Sequence, residues 1–222
     1  MPGDHRGAHP DARRGGRGAG ADGGGLQRDR GRAAGPVVAL TWRVHATLAR
    51  SAANGPGTRF VVWAQGCTLG CAGCFNPETH GAGGDVRTVG EVAGEVLAAS
   101  GIDGVTVSGG EPLEQPGALR EFCGLVRPSG LGIVVLTGFA RREIEADPEL
   151  AAAVELADMV IAGRYNERLR LGAGLRGSSN KEYWAITDRY GPDDFAALPD
   201  AEVVISADGT IAVTGMHAWG ER

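Results

Sequence analysis

Apolar residues follow two different spacings that alternate along most of the chain. Short, nearly continuous apolar runs predict buried strands, and stretches whose apolar residues recur every three or four positions predict helices. The predicted strands are residues 37–48, 60–63, 105–107, 133–136 and 159–161. The predicted helices are residues 89–99, 116–126 and 149–156, with another that begins near Arg141. Strands that alternate with helices indicate βαβ units, and therefore an α/β fold with a parallel sheet.

Local signals add detail at two of these elements. Thr88 is the predicted N-cap of the helix that follows it, because Glu91 lies three residues later, as in a capping box. Residues 203–213 predict a β-hairpin, since Asp208-Gly209 is a strong turn signal between two short apolar runs. The α/β domain is therefore expected to end in a C-terminal β-hairpin.

The first 35 residues differ in composition from the rest of the chain. Residues 1–35 are rich in glycine and arginine, and Leu26 is the only large aliphatic residue there after Met1. A segment with so little apolar surface cannot offset the entropy lost on ordering, so residues 1–35 are predicted to be a disordered tail. Residues 36–222 are predicted to form one domain.

Charge and hydropathy exclude some classes of function. The formal net charge of −5 does not suggest a nucleic-acid-binding protein. No apolar run reaches the length needed to span a membrane, and the N-terminus lacks the apolar core of a signal peptide. A cytoplasmic protein is therefore expected. Among the 22 basic residues, all but Lys181 are arginine.

Three of the four cysteines lie within eight residues and suggest a metal site. Cys67, Cys71 and Cys74 have the spacing Cys-x3-Cys-x2-Cys, which can hold three corners of a cubane iron–sulfur cluster and leave one iron open to a small molecule. Two alternatives are a zinc site with His80 as fourth ligand and buried cysteines without any metal. Cys123 lies on an amphipathic predicted helix and is expected to be a core residue.

The cysteine triplet stands among five further motifs. They are NGPGTR at residues 54–59, QGC at 65–67, NPET at 76–79, SGGEPL at 108–113 and RGSSN at 176–180. In this order, and with Phe75 directly after the last cysteine, they resemble the radical S-adenosylmethionine (SAM) enzymes that activate glycyl-radical enzymes. The RGSSN motif is most similar to the activating proteins of anaerobic ribonucleotide reductase. The resemblance implies a partial (β/α) barrel in its short form.

The resemblance also implies two cofactors, a [4Fe-4S] cluster on the three cysteines and SAM on the open iron. Phe75 matches an aromatic position beside the SAM adenine, and the SGGE turn matches one that holds the methionine amino group. A side chain at Gly110 is therefore expected to collide with SAM. The residues implied to bind the cofactor are Gly73, Cys74, Phe75, Ser108, Gly109, Gly110 and Glu111.

The implied substrate is a protein rather than a small molecule. In the family that this chain resembles, the cluster reduces SAM, and the radical that forms removes a hydrogen from a backbone glycine of a partner enzyme. An anaerobic ribonucleotide reductase-like partner is expected, with a flavodoxin or ferredoxin as electron donor. The residues implied to lie near the partner are Asn54, Gly55, Arg59, Arg176, Ser178 and Asn180.

Two other functions remain open at this point. The chain could be a radical SAM enzyme that modifies a peptide or a small molecule on the same short scaffold. It could also be a non-enzymatic iron–sulfur or zinc binding module. SAM cleavage under reducing conditions separates the enzymes from the module, and the identity of the radical acceptor separates the two enzymes.

Overall fold

The structure is a computed structural model that describes residues 39–205 and 208–216, within a compact unit that begins at Val38. Its strands are β1 (Thr41–Ser51), β2 (Arg59–Ala64), β3 (Asp85–Thr88), β4 (Gly104–Gly109), β5 (Gly132–Leu136), β6 (Met159–Ala162), β7 (Glu182–Ala185), β8 (Ala201–Ile205) and β9 (Ile211–Gly215). Its α-helices are α1 (Val89–Ala98), α2 (Pro116–Val126), α3 (Arg141–Ala146), α4 (Pro148–Val154) and α5 (Asp193–Ala196). The predicted tail, residues 1–35, lies outside the described residues and stays a prediction.

Seven strands form one sheet, and the last two form a separate hairpin. The order in the sheet is β3-β1-β2-β4-β5-β6-β7. The four central strands β2, β4, β5 and β6 are parallel, whereas β1, β3 and β7 pair antiparallel. The edge strands β3 and β7 each pair with one neighbour, so the sheet is open, as a partial barrel requires. The predicted α/β class and C-terminal hairpin are confirmed.

Both faces of the parallel strands are covered. Along β5 and β6 every residue is buried, which explains why these strands are continuous apolar runs in the sequence. Alternate residues point to opposite faces: Ile133 and Val135 pack in the larger core with α1, α2 and α4. Val134 and Leu136 pack on the other face, in a smaller core that contains Leu175 and Phe195.

Most predicted elements are present, with shifted ends. The capping box at α1 is confirmed, because the Thr88 hydroxyl accepts from the Glu91 amide and the Glu91 carboxylate accepts from the Thr88 amide. The first strand begins at Thr41 and continues to Ser51, later than predicted. Strands β3 and β7 and helix α5 are not predicted from the sequence. Strands β3 and β7 are four-residue edge strands with half-exposed or exposed side chains, and such strands lack an apolar run.

Arg59 lies fully buried at the start of β2, at the edge of the sheet opposite to the one where the parallel strands end. Its guanidinium donates to the carbonyl oxygens of Val105 and Gly132, to the Thr106 hydroxyl and to the Tyr190 hydroxyl. Burial lowers the pKa of this guanidinium from its ordinary value. Arg59 therefore ties β2, β4 and β5 together and is not accessible to a partner in this structure.

Replacing Arg59 with methionine is expected to lower the free energy of unfolding by about 2–4 kcal/mol, because it leaves buried carbonyl oxygens without donors. Chemical denaturation would measure the loss. Arg120→Met is the matched control, since Arg120 is exposed and forms one loose ion pair with Glu155 at 3.7 Å. Equal stability of the two variants would contradict this role for Arg59.

Candidate functional site

The connections that follow the four parallel strands meet at one edge of the sheet. β2 leads into residues 65–84, which include the cysteines, and β4 ends in the SGGE turn of residues 108–111. β5 leads into Thr137-Gly138, and β6 leads into residues 163–181. Because parallel strands end at the same edge, these connections face one another. All four contribute residues to one cavity.

The cysteine loop, defined here as residues 66–80, is closed at its base by backbone hydrogen bonds. The Gly66 amide donates to the Thr79 carbonyl at 2.8 Å, and the Cys67 amide donates to the His80 carbonyl at 3.2 Å. The side-chain amide of Gln65 donates to the Gly81 carbonyl at 2.9 Å. The two ends of the loop are therefore held together by the protein alone, and the loop presents its side chains from a fixed base.

The three cysteines of this loop share one environment, and the fourth does not. Cys67, Cys71 and Cys74 are half-buried, form no disulfide and line the cavity. Burial raises the pKa of the Cys67 and Cys74 thiols from the ordinary value. Cys123 is fully buried in α2, where burial raises the pKa of its thiol to about 12. Cys123 is therefore a core residue, as predicted.

This donor set fits an iron–sulfur cluster. In a cubane each thiolate binds a different iron, so the three thiols must open to one cavity but need not converge on one point. In the part of the chain that the structure describes, no three His, Cys, Asp or Glu side chains are placed to hold a single metal ion. His80 also lines the cavity, and its backbone carbonyl closes the cysteine loop.

The glycine pair of the SGGE turn packs against the base of the cysteine loop. Gly109 has φ +101°, and a Cβ there would lie 2.5 Å from backbone atoms of Ala64. A Cβ on Gly110 would meet the carbonyl oxygen of Gly66, and would lie 3.0 Å from the carbonyl oxygen of Thr79. The sequence analysis expected a side chain at Gly110 to collide with SAM. In the structure, backbone atoms of the protein itself obstruct a side chain at this position.

Glu111 holds the SGGE turn to the end of β5. Its side chain is fully buried, and one carboxylate oxygen accepts from the Leu113 amide and the Thr137 hydroxyl. The other oxygen accepts from the Gly138 amide at 2.7 Å. Burial raises the pKa of Glu111 from its ordinary value, although the three hydrogen bonds act in the opposite direction. The carboxylate thus lines the cavity but is already engaged by the protein.

Two aromatic rings lie together in the lining of the cavity. The Phe75 ring lies edge-on to Tyr165, with the ring centroids 4.8 Å apart, and the Arg170 guanidinium lies 5.2 Å from the Phe75 centroid. Phe75 and Tyr165 both line the cavity. A flat ring of a ligand could stack on such a surface.

Comparison with known families shows to which family the chain belongs. Residues 53–184, more than half of the sequence, match the family described as "4Fe-4S single cluster domain". The chain belongs to this family. The matched 4Fe-4S single cluster domain contains the three cavity cysteines, the SGGE turn and the RGSSN motif, whereas the C-terminal hairpin lies beyond it.

Relatives of this domain are activating proteins by name. The chain is 38% identical over 128 residues to the pyruvate formate-lyase-activating enzyme of Listeria monocytogenes, a match that covers 54% of this chain and 51% of the relative. It is 33% identical over 144 residues to the anaerobic ribonucleoside-triphosphate reductase-activating protein of Enterobacteria phage T4, covering 61% of this chain and 88% of the relative. The resemblance to glycyl-radical activases is thereby confirmed, although the chain spans about half the length of the Listeria relative.

Among solved structures, QueE from Escherichia coli is similar to 58% of this chain and 73% of its own chain, at 14% identity and a TM-score of 0.41. At that level the likeness carries no argument about function. None of the helices in the described ranges is long and apolar enough to cross a membrane.

The residues that the resemblance implied to lie near a partner occupy different places in the structure. Arg176 lines the cavity, with its guanidinium carbon 5.0 Å from the Tyr183 ring centroid. Ser178 is buried and accepts from the Asn166 amide, and Asn180 is exposed and donates to the Arg164 carbonyl. Only the first of these three residues therefore reaches the cavity.

Asn54 lies at a second opening, a groove that is bounded by β1 and β9. Its side-chain amide donates to the Ser51 and Thr214 hydroxyls, which connects β1 to the C-terminal hairpin. Gly55 is buried and begins the turn that leads to Arg59. The groove and the cavity share Cys74, Phe75, Asn76, Ser108 and Met216. The cavity is therefore open along the hairpin side of the domain.

Two of the cavity-lining residues that were not predicted from the sequence carry polar side chains, Tyr165 and Lys181. Both lie in or directly after the irregular connection between β6 and β7, where no periodic pattern indicates which side chain points inward. The amino-acid composition of the chain offers one signal for Lys181, because it is the single lysine of the sequence.

Proposed function

We propose that this protein uses a [4Fe-4S] cluster and SAM to remove a hydrogen atom from a backbone glycine of a partner enzyme similar to anaerobic ribonucleotide reductase. The observation that carries the proposal is the joint placement of three thiols and the SGGE turn around one cavity, which shares lining residues with the groove along β1 and β9. The similarity to the phage T4 activating protein, over 88% of that protein, supports this choice of partner.

Cys67, Cys71 and Cys74 would hold the cluster, and the cavity between them and the SGGE turn would hold SAM. When bound, the two cofactors together supply a one-electron cleavage that yields a hydrogen-abstracting radical. The residues of the chain position the cofactors and exclude water from the cavity. Phe75 offers a surface for the adenine ring, and Glu111 keeps the turn against the end of β5 through Thr137 and Gly138.

The groove offers a path for the partner. A polypeptide segment that enters along β1 and β9 would reach Cys74 and Phe75 without crossing the core. Asn54 lies along this path, and Arg176 lies at its inner end in the cavity. We include a cytoplasmic location and a flavodoxin or ferredoxin as electron donor in the proposal, on the resemblance alone.

The deciding experiment is anaerobic reconstitution with iron and sulfide, followed by SAM cleavage with and without the candidate reductase. The proposed function requires 5′-deoxyadenosine formation in both cases, and a glycyl-radical EPR signal when the reductase is present. The Cys71→Ala variant is the negative control for both readouts. SAM cleavage with a radical on a peptide or small molecule instead would support another radical SAM enzyme, and no SAM cleavage would support a binding module.

A further inference from the structure

Lys181 is a cation in the cavity to which the proposed function assigns no role. It lies between the RGSSN motif and β7, and it lines the cavity together with Cys71 and Cys74. Its Nζ donates one hydrogen bond, to the Thr137 carbonyl oxygen at 3.2 Å. Within residues 39–205 and 208–216, no carboxylate lies within ion-pair distance of Nζ. Because an ammonium group carries three donors, two are left for a ligand.

The acid in the described lining of the cavity, Glu111, forms no ion pair with this ammonium. Glu111 places both carboxylate oxygens on protein donors, and one of these donors is the Thr137 hydroxyl. Lys181 binds the carbonyl of the same threonine. The two opposite charges therefore flank Thr137 without forming an ion pair.

An ammonium that is removed from water without a counter-charge costs free energy, and an anion that binds beside it recovers part of that cost. Burial lowers the pKa of Lys181 from its ordinary value, which agrees with this loss of hydration. The SGGE turn is joined to Thr137 through the Glu111 carboxylate, and the turn, Thr137 and Lys181 line the same cavity. A ligand with an amino group and a carboxylate on one carbon could contact both the turn and Lys181.

We propose that Lys181 binds the carboxylate of an α-amino-acid ligand in the cavity, namely the methionyl carboxylate of SAM. This inference rests on the proposed function, because it takes SAM as the occupant. The same chemistry could bind an acidic side chain of the partner enzyme. The two sources are separated by measuring SAM binding in the absence of any partner.

The test measures ligand affinity rather than turnover. Wild type, Lys181→Met and Lys181→Arg are reconstituted anaerobically, kept oxidised so that SAM is not cleaved, and titrated by equilibrium dialysis with SAM and with decarboxylated SAM. Lys181→Met is expected to weaken SAM binding about 10- to 100-fold, the effect of losing a charge-assisted hydrogen bond, and to leave decarboxylated SAM binding unchanged. Lys181→Arg should retain most of the affinity for SAM. Arg120→Met, on the exposed face of α2, is the control for loss of one positive charge.

Measurement of iron and sulfide content verifies that each variant holds the cluster. If Lys181→Met does not hold the cluster, Lys181→Gln takes its place in the comparison. Unchanged SAM affinity in the uncharged variant overturns the inference and leaves the proposed function standing. Equal weakening for both ligands also overturns it, since it would mean that Lys181 shapes the cavity rather than binding the carboxylate. A wild-type protein that holds the cluster and binds no SAM overturns the proposed function, and the inference with it.

Discussion

Replacing any one of Cys67, Cys71 or Cys74 with alanine is expected to abolish the cluster. Each thiolate would hold a different iron, and the described lining of the cavity contains no cysteine besides these three to take over a lost position. Wild-type protein should hold about four irons and four sulfides per chain after reconstitution, as a cubane requires. Iron and sulfide analysis, with the visible absorbance of the cluster, measures the loss.

Cys123→Ala is the control, and the structure makes it a strict one. Cys123 is buried in α2 among the apolar residues of the larger core and does not line the cavity. Its replacement should cost about 1 kcal/mol of stability through lost packing and leave iron content unchanged. Loss of the cluster in Cys123→Ala would contradict the assignment of the ligands. Stoichiometric zinc in protein purified without air would also contradict it.

Gly110→Val is expected to lose both the cluster and part of the stability of the fold. The new Cβ would meet backbone atoms of Gly66 and Thr79, and these two residues form a hydrogen bond that closes the cysteine loop. Backbone cannot rotate away as a side chain can, so the loop must move, at a cost of about 1–3 kcal/mol or more. Thermal unfolding of the unloaded protein and iron content after reconstitution measure the two effects.

A second glycine separates this collision from a general effect of substitution. Gly94 lies in α1, and a Cβ there would meet nothing within 4 Å. Gly94→Ala should be neutral or slightly stabilising, because alanine favours the helix over glycine. Full cluster content in Gly110→Val, together with lost SAM binding, would support the expectation from the sequence. In that case the new side chain would collide with SAM rather than with the cysteine loop.

The elements that the sequence predicted well are those whose pattern is local. The parallel strands β4, β5 and β6 are buried on both faces, and their apolar runs are visible without any knowledge of neighbours. The cap of α1 depends on two residues three positions apart. Strand β3 shows the opposite case. It has no apolar run of its own, and it forms because the edge of β1 that faces away from β2 offers backbone hydrogen bonds.

The site shows the same division between local and distant causes. Cysteine spacing and the glycine pair are local, so their presence at one cavity could be predicted from the sequence and the expected sheet. The place of Arg59 depends on carbonyl oxygens of Val105 and Gly132, which are 46 and 73 residues away along the chain. Gly110 is constrained by Gly66 in a similar way. Such contacts arise from strand order, which a residue pattern does not contain.

The single lysine of the sequence allows the cavity to be probed by chemical modification. Within these 222 residues, reagents that acylate primary amines have one side-chain target, and that target is Lys181. A molecule that fills the cavity should shield this amine, so intact-mass measurement of acylation would count occupied sites without any radioactive ligand. A lysine-specific protease also has one cleavage site here, at the bond to Glu182, where β7 begins. Because cleavage requires local opening of the chain, its rate would report how often this edge of the sheet detaches.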